Sequence, residues 1–83
     1  MSFDFSPRTF GDRIVFIKAR LDKSSEEFAK SVGISTAQMN RYIRNLSVPT
    51  LPIADKIARC GGVNLQWLST GEGEVLRPVD SDG

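Results

Sequence analysis

Residues 24–45 read SSEEFAKSVGISTAQMNRYIRN, and the spacing inside this stretch decides the fold. Ser24 is placed to cap a helix, and Glu27, one turn on, is placed to reach back and close a capping box. Gly33 ends that helix, because a residue at positive φ finishes a helix and redirects the chain at least cost when it carries no Cβ. A second helix follows at once, with Ser35 as N-cap, Gln38 in the capping-box position, and Met39, Tyr42 and Ile43 at helical spacing. Ala29 stands one turn before the glycine, where a larger side chain would hold the helices apart. The stretch therefore reads as two short helices, over 25–32 and 36–44, crossing tightly at a sharp turn.

Working outward, Ser6-Pro7 reads as N-cap and first helical position, since proline there loses only an N–H that has no helical partner. A first helix is predicted over 7–22, with Phe10, Ile14, Ile17 and Leu21 as its buried stripe and Val15 and Phe16 widening it. Residues 1–5 form a loose arm whose rings, Phe3 and Phe5, gain by packing back onto the body. Asn45 suits a left-handed C-cap after the third helix. Leu46 to Pro49 then crosses to a fourth helix capped by Thr50, with Pro52 in its first turn and Ile53, Ile57 and Ala58 facing inward. Gly61-Gly62 stops it. Asn64 caps a short fifth helix in which Leu65, Trp67 and Leu68 close the core. No strand pattern or internal repeat is present. The expectation is an all-α, compact five-helix bundle: an arm over 1–6, a body over 7–73, and a flexible tail or linker over 74–83.

Eighty-three residues make one small domain, able to bury only about 60 to 65 per cent of its unfolded surface. The apolar fraction is 40% and the charged fraction 25%, an ordinary globular balance. One cysteine excludes an internal disulfide, and the absence of histidine excludes a Cys/His zinc site. Cys60, near a helix end, reads as a small buried or half-buried side chain. No apolar run approaches the roughly 20 residues of a membrane span, and the N-terminus lacks the pattern of a signal peptide. The net charge of +1 is uninformative, but its distribution is not. Residues 28–54 hold Lys30, Arg41 and Arg44 and no acid, whereas the segments on either side are balanced or acidic. The two-helix unit is the basic island of the chain, where phosphates would lie.

Two segments of the chain resemble the Cro/CI-type, XRE-like helix-turn-helix domains, and more narrowly the phage CI repressor headpiece, of lambda-repressor-like fold. These are residues 24–45, quoted above, and 62–73, read as GVNLQWLSTGEG, whose Val63-Asn64-Leu65-Gln66-Trp67-Leu68 followed by Thr70-Gly71 looks like the closing helix of that family. The match runs from about Phe10 to Gly73. It implies sequence-specific binding of double-stranded DNA as a phage or prophage transcriptional repressor, with the third helix in the major groove. It also implies a cytoplasmic, nucleoid-associated protein of a bacterial host, and a homodimer on an operator that is an inverted repeat. In that family a separate C-terminal region usually supplies pairing, so the chain reads either as a headpiece leading into a further domain or as a short whole regulator that pairs through its bundle.

On a helical wheel Thr36, Ala37, Asn40, Arg41 and Arg44 share an arc of about 140°, opposite Met39, Tyr42 and Ile43. Carried over by position, Thr36, Ala37 and Arg41 match the family's base-reading sites, and Asn40 shares their arc. Arg41 is the strongest of them, because a guanidinium donates two hydrogen bonds to guanine O6 and N7. Thr36 and Ala37 offer methyl groups to thymine. Phosphate contacts are assigned to Ser24 and Ser25 at the start of the second helix, and to Ser35, Gln38 and Arg44, with Asn40 also within reach. Gln38 has an alternative as the capping partner of Ser35, and Arg44 as a solvated cation at a helix C-terminus. Where Ser25 stands, the family often has a glutamine that touches a phosphate and supports its neighbour; serine is too short to do both. A second class, a helical protein-interaction module of antitoxin-like or accessory type, would keep the bundle but cover its third helix. Catalysis is not expected: there is no histidine, no phosphate-cradling glycine loop, and Glu26 and Glu27 point to different sides of their helix. No cofactor, metal, membrane or small-molecule substrate is implied.

Overall fold

The computed structural model describes residues 9–77. They form five helices in chain order: α1 (Phe10–Leu21), α2 (Ser25–Val32), α3 (Thr36–Ile43), α4 (Leu51–Gly61) and α5 (Leu65–Thr70). The all-α bundle is the expected one, with α2 and α3 as the helix-turn-helix.

The α2–turn–α3 unit is built by the local signals. Ser24 Oγ accepts from the Glu27 N–H at 3.1 Å while the Ser24 N–H donates to Glu27 Oε1 at 2.9 Å, a complete capping box. Gly33, at φ +91°, ends α2, and its N–H donates to Ala29 O at 2.8 Å. Ala29 is buried beneath the turn. Ser35 caps α3 by accepting from the Gln38 N–H at 3.1 Å. The helix ends one residue short of the expected Arg44, which is its C-cap, and Asn45 takes the left-handed conformation at φ +61°.

Three sequence expectations are corrected. α1 begins at Phe10, not at residue 7: Thr9 is extended and its Oγ1 accepts from the Asp12 N–H, so Thr9 is the N-cap. The Ser6-Pro7 cap and the Phe3 and Phe5 rings lie outside the described residues. Val15 does not widen the buried stripe but is exposed, being a third of a turn beyond Ile14; Phe16 does turn inward, edge-on to Trp67 with ring centroids 5.5 Å apart. Thr50 and Asn64 occupy N-cap positions without a side-chain cap hydrogen bond.

One core holds the bundle together, drawn from Ile14 and Ile17 of α1, Phe28, Ala29 and Val32 of α2, Met39 and Tyr42 of α3, Ile57 and Ala58 of α4, Val63, and Trp67 and Leu68 of α5. Cys60 is half-buried, its Sγ 3.4 Å from Ser31 O. Residues 74–77 turn back onto the body. The Asn64 side-chain amide donates to Glu74 O and Leu76 O, the Asn64 N–H donates to Val75 O, and the Arg77 N–H donates to Gly62 O. Val63 and Leu76 form an isolated antiparallel bridge, and Val75 packs on the core. The remainder of the expected tail lies outside the described residues.

Candidate functional site

Helix α3 is two-faced. Met39 and Tyr42 are fully buried, which fixes its rotation, and Ala37, Asn40, Arg41 and Arg44 are consequently exposed, with Thr36 half-buried at its N-terminal end. The five residues placed together on the helical wheel thus share the outward side of one helix. Its electrostatics come from the sequence segment it belongs to, 28–54, which holds Lys30, Arg41 and Arg44 and no acid.

Arg41 is oriented by the chain that follows it. Its Nε donates to Ser47 Oγ at 3.0 Å, which leaves both terminal guanidinium nitrogens directed away from that bond. Such a nitrogen pair can bridge two acceptors on a planar edge or grip one anion. Arg44, at the C-cap, is exposed where a cation is favoured by the helix dipole. Gln38 does not close a capping box: its Nε2 donates forward to Tyr42 Oη at 2.7 Å instead of back to the Ser35 backbone. The Tyr42 hydroxyl at the edge of the core requires a partner, and Gln38, one turn before it on the same face, is the nearest donor.

The serines at the two helix N-termini are engaged as acceptors. Ser24 and Ser35 accept from backbone N–H groups, and Ser25 Oγ accepts from Lys18 Nζ at 2.5 Å. An accepting hydroxyl keeps its own hydrogen for donation outward. Lys18 is the residue that sequence reasoning missed here: it comes from α1 yet places its ammonium at the start of α2, beside the short serine that stands where a glutamine is frequent. Nothing local signals it, because the contact crosses between helices.

Two further contacts hold α1 in place under this surface. Gly11 N–H donates to Asn45 Oδ1 at 3.0 Å, and Asn45 Nδ2 donates to Thr9 Oγ1 at 3.2 Å, so the C-terminal end of α3 is pinned to the first turn of α1. Arg13, only 6% exposed, donates from Nε to Leu68 O at 2.8 Å and from a terminal nitrogen to Ser69 O at 3.4 Å. Burial lowers its pKa from the ordinary arginine value, with Asp12 acting in the opposite sense; the group remains a cation at neutral pH. It supports the C-terminal carbonyls of α5 and belongs to the scaffold. A signal for it existed: position 13 falls on the same stripe as Phe10 and Ile17, where a charged side chain needs a buried partner.

Among the described residues no group of three or more Asp, Glu, Cys or His side chains could hold a metal ion. No helix there is long and apolar enough to cross a membrane.

Comparison with known proteins agrees with this geometry. Residues 17–68 match a family model described as helix-turn-helix. A protein of Haemophilus influenzae named as an uncharacterized HTH-type transcriptional regulator is 32% identical over 63 residues, covering 76% of this chain. The chain spans about a quarter of that relative, 26% of its length. The solution structure of the SOS-response transcriptional repressor LexA from Eubacterium rectale superimposes with a TM-score of 0.68, covering 98% of this chain and 89% of that one at 19% identity, a likeness of fold.

Proposed function

Because the chain belongs to the helix-turn-helix family of lambda-repressor-like type, we propose that it binds double-stranded DNA in a sequence-specific manner as a transcriptional repressor of phage CI type, with α3 lying in the major groove. The observation that carries this is the outward side of α3: Ala37, Asn40, Arg41 and Arg44 exposed together on a helix whose other side is locked by Met39 and Tyr42. An α-helix fits the major groove, and this motif presents the N-terminal part of its second helix to base edges.

Thr36, Ala37, Asn40 and Arg41 read bases. Arg41 does so through the guanidinium nitrogens left by its bond to Ser47, bidentate to guanine, and Asn40 through its amide. Ser24, Ser25, Ser35, Gln38 and Arg44 contact phosphates, the serines through the hydroxyl hydrogens that their capping roles leave unused, and Gln38 through its second amide hydrogen. Lys18 joins them beside Ser25. One unit of this size spans few base pairs, so two copies occupy the halves of an inverted repeat about one helical turn apart, and occupancy blocks transcription without chemistry. The site of action is the bacterial cytoplasm.

The test begins with selection of bound duplexes from a random pool, which is expected to return an inverted repeat. On that duplex Arg41→Ala should cost about 1–3 kcal/mol and relax preference at one position, whereas Arg44→Ala should weaken all duplexes alike and reduce the slope of log K against log salt by about 1. Equal losses on selected and random duplexes from Arg41→Ala would remove its base-reading role. A protein-interaction module that covers α3 with a partner would show no salt slope at all.

A further inference from the structure

The turn that ends α3 is tied down on both of its sides. Asn45, left-handed at φ +61°, reverses the chain after Arg44, and the Leu46 N–H returns to donate to Arg41 O at 2.9 Å. The Asn45 amide is held in turn by the Gly11 N–H at 3.0 Å and by Thr9 Oγ1 at 3.2 Å. Ser47 follows directly. It is half-buried, and the fixed turn brings its Oγ to 3.0 Å from Nε of the exposed Arg41.

We infer that Ser47 is a positioning residue for base reading: it holds Arg41 in one orientation before DNA arrives and restricts it to one of its two hydrogen-bonding edges. The inference rests on the DNA-binding role proposed above. A guanidinium offers two pairs of parallel donors, Nε with one terminal nitrogen, and the two terminal nitrogens with each other. Nε is engaged by Ser47, so the terminal pair alone can meet guanine O6 and N7. An exposed arginine without such a partner samples many rotamers, and fixing one of them on binding costs affinity. The residue type suits the task. A carboxylate at this position would take the guanidinium as an ion pair and offset the charge that phosphates attract, whereas a hydroxyl accepts one hydrogen bond and leaves the cation whole. Ser47 also has no capping duty, since Thr50 holds the N-cap position of α4. A partly exposed side chain of this kind adds little to folding, so its loss should be read in recognition and not in stability.

The experiment uses the full chain, the duplex recovered by selection, and the three variants of that duplex at the base pair where Arg41→Ala relaxes preference. Fluorescence anisotropy gives the affinity of the wild type, Ser47→Ala, Ser47→Thr, Arg41→Ala and the Ser47→Ala, Arg41→Ala double variant for each duplex, with thermal unfolding alongside. Ser47→Ala should lose about threefold to tenfold on the preferred duplex and stay within about twofold of wild type on the other three. Ser47→Thr, which keeps the acceptor, should restore the preference, and Ser47→Ala should add no loss in the Arg41→Ala background. In the free protein the Arg41 Nε–H should exchange with water faster once Ser47 is alanine, as NMR can follow. Equal losses from Ser47→Ala on all four duplexes would make Ser47 a phosphate contact and overturn the inference. An additive loss in the double variant would overturn it too, since Ser47 would then act apart from Arg41. So would a preference that Ser47→Ala leaves unchanged, with or without a lowered unfolding temperature. Each of these results leaves DNA binding intact. An Arg41→Ala variant that relaxes no position removes the base-reading role of Arg41 and this inference with it, and a wild type that binds no duplex refutes the DNA-binding role and this inference together.

Discussion

Gly11→Ala is the sharpest test of how α3 is held, because two physical rules predict opposite signs. Gly11 sits inside α1, where replacing glycine by alanine ordinarily gains about 1 kcal/mol of helix propensity. In this bundle an alanine Cβ would stand 2.0 Å from Ile43 O, 2.7 Å from Ile43 C and 3.0 Å from Asn45 Nδ2. A carbon and a carbonyl oxygen approach no closer than about 3.3 Å, so the end of α3 would have to move away by about 1 Å. The obstacle is backbone, so no rotamer change relieves it. Overpacking of this kind costs about 1–3 kcal/mol, and the Gly11–Asn45 hydrogen bond adds about 0.5–1.5 kcal/mol when it is pulled apart. Set against the propensity gain, the net loss is about 2 kcal/mol. For a domain of this size that lowers the unfolding temperature by roughly 8–16 °C. Circular dichroism of the folded variant against wild type measures it. An unfolding temperature raised by the substitution would show that α1 and α3 do not meet at Gly11 as described, and the account of α3 positioning would fall.

Other outcomes follow from single contacts. Gly33→Ala should cost about 1–2 kcal/mol in urea unfolding from backbone strain alone, since no atom lies within 4 Å of the new Cβ, and Gly33→Asn should cost less; equal, negligible effects would contradict the left-handed turn. Arg13→Met should lose about 1–3 kcal/mol by stranding the Leu68 carbonyl, and a change below about 0.5 kcal/mol would mean that the carbonyl finds water instead. The Glu27 carboxyl is held below the usual glutamate range by the Ser24 backbone N–H first and by the Ser24 hydroxyl second. A depressed folded value means that its contribution to stability is fully present above the unfolded pKa of about 4.3 and is lost as pH falls through the lower folded value. A carboxyl carbon NMR titration of Glu27 should show the lowered midpoint, and a midpoint at the free-glutamate value would refute the capping box.

Chain signals a few residues long were enough for the α2–turn–α3 unit. Ser24, Glu27, Gly33 and Ser35 act on neighbours one turn away or less, so hydrogen bonding and backbone sterics decide their roles before any tertiary contact forms. Helical periodicity likewise separated Met39 and Tyr42 from Ala37, Asn40, Arg41 and Arg44, because burial of one side of a helix exposes the other. The misplaced readings share a different character. Thr9 rather than Ser6 starts α1, Gln38 turns to the Tyr42 hydroxyl instead of completing a second capping box, and Val15 lies outside the buried stripe although it is as apolar as its neighbours.

By itself, then, the amino-acid order determined five helices, their pairing at Gly33 and which side of α3 is free, since each depends on interactions short along the chain. Tertiary structure alone decided that Asn45 clasps Gly11, that Lys18 reaches Ser25, that Arg13 supports the end of α5 and that residues 74–77 return to Asn64. Those partners are between seven and 56 residues apart, and a side chain with several possible hydrogen-bond partners takes whichever one the packing of the apolar core brings within about 3 Å.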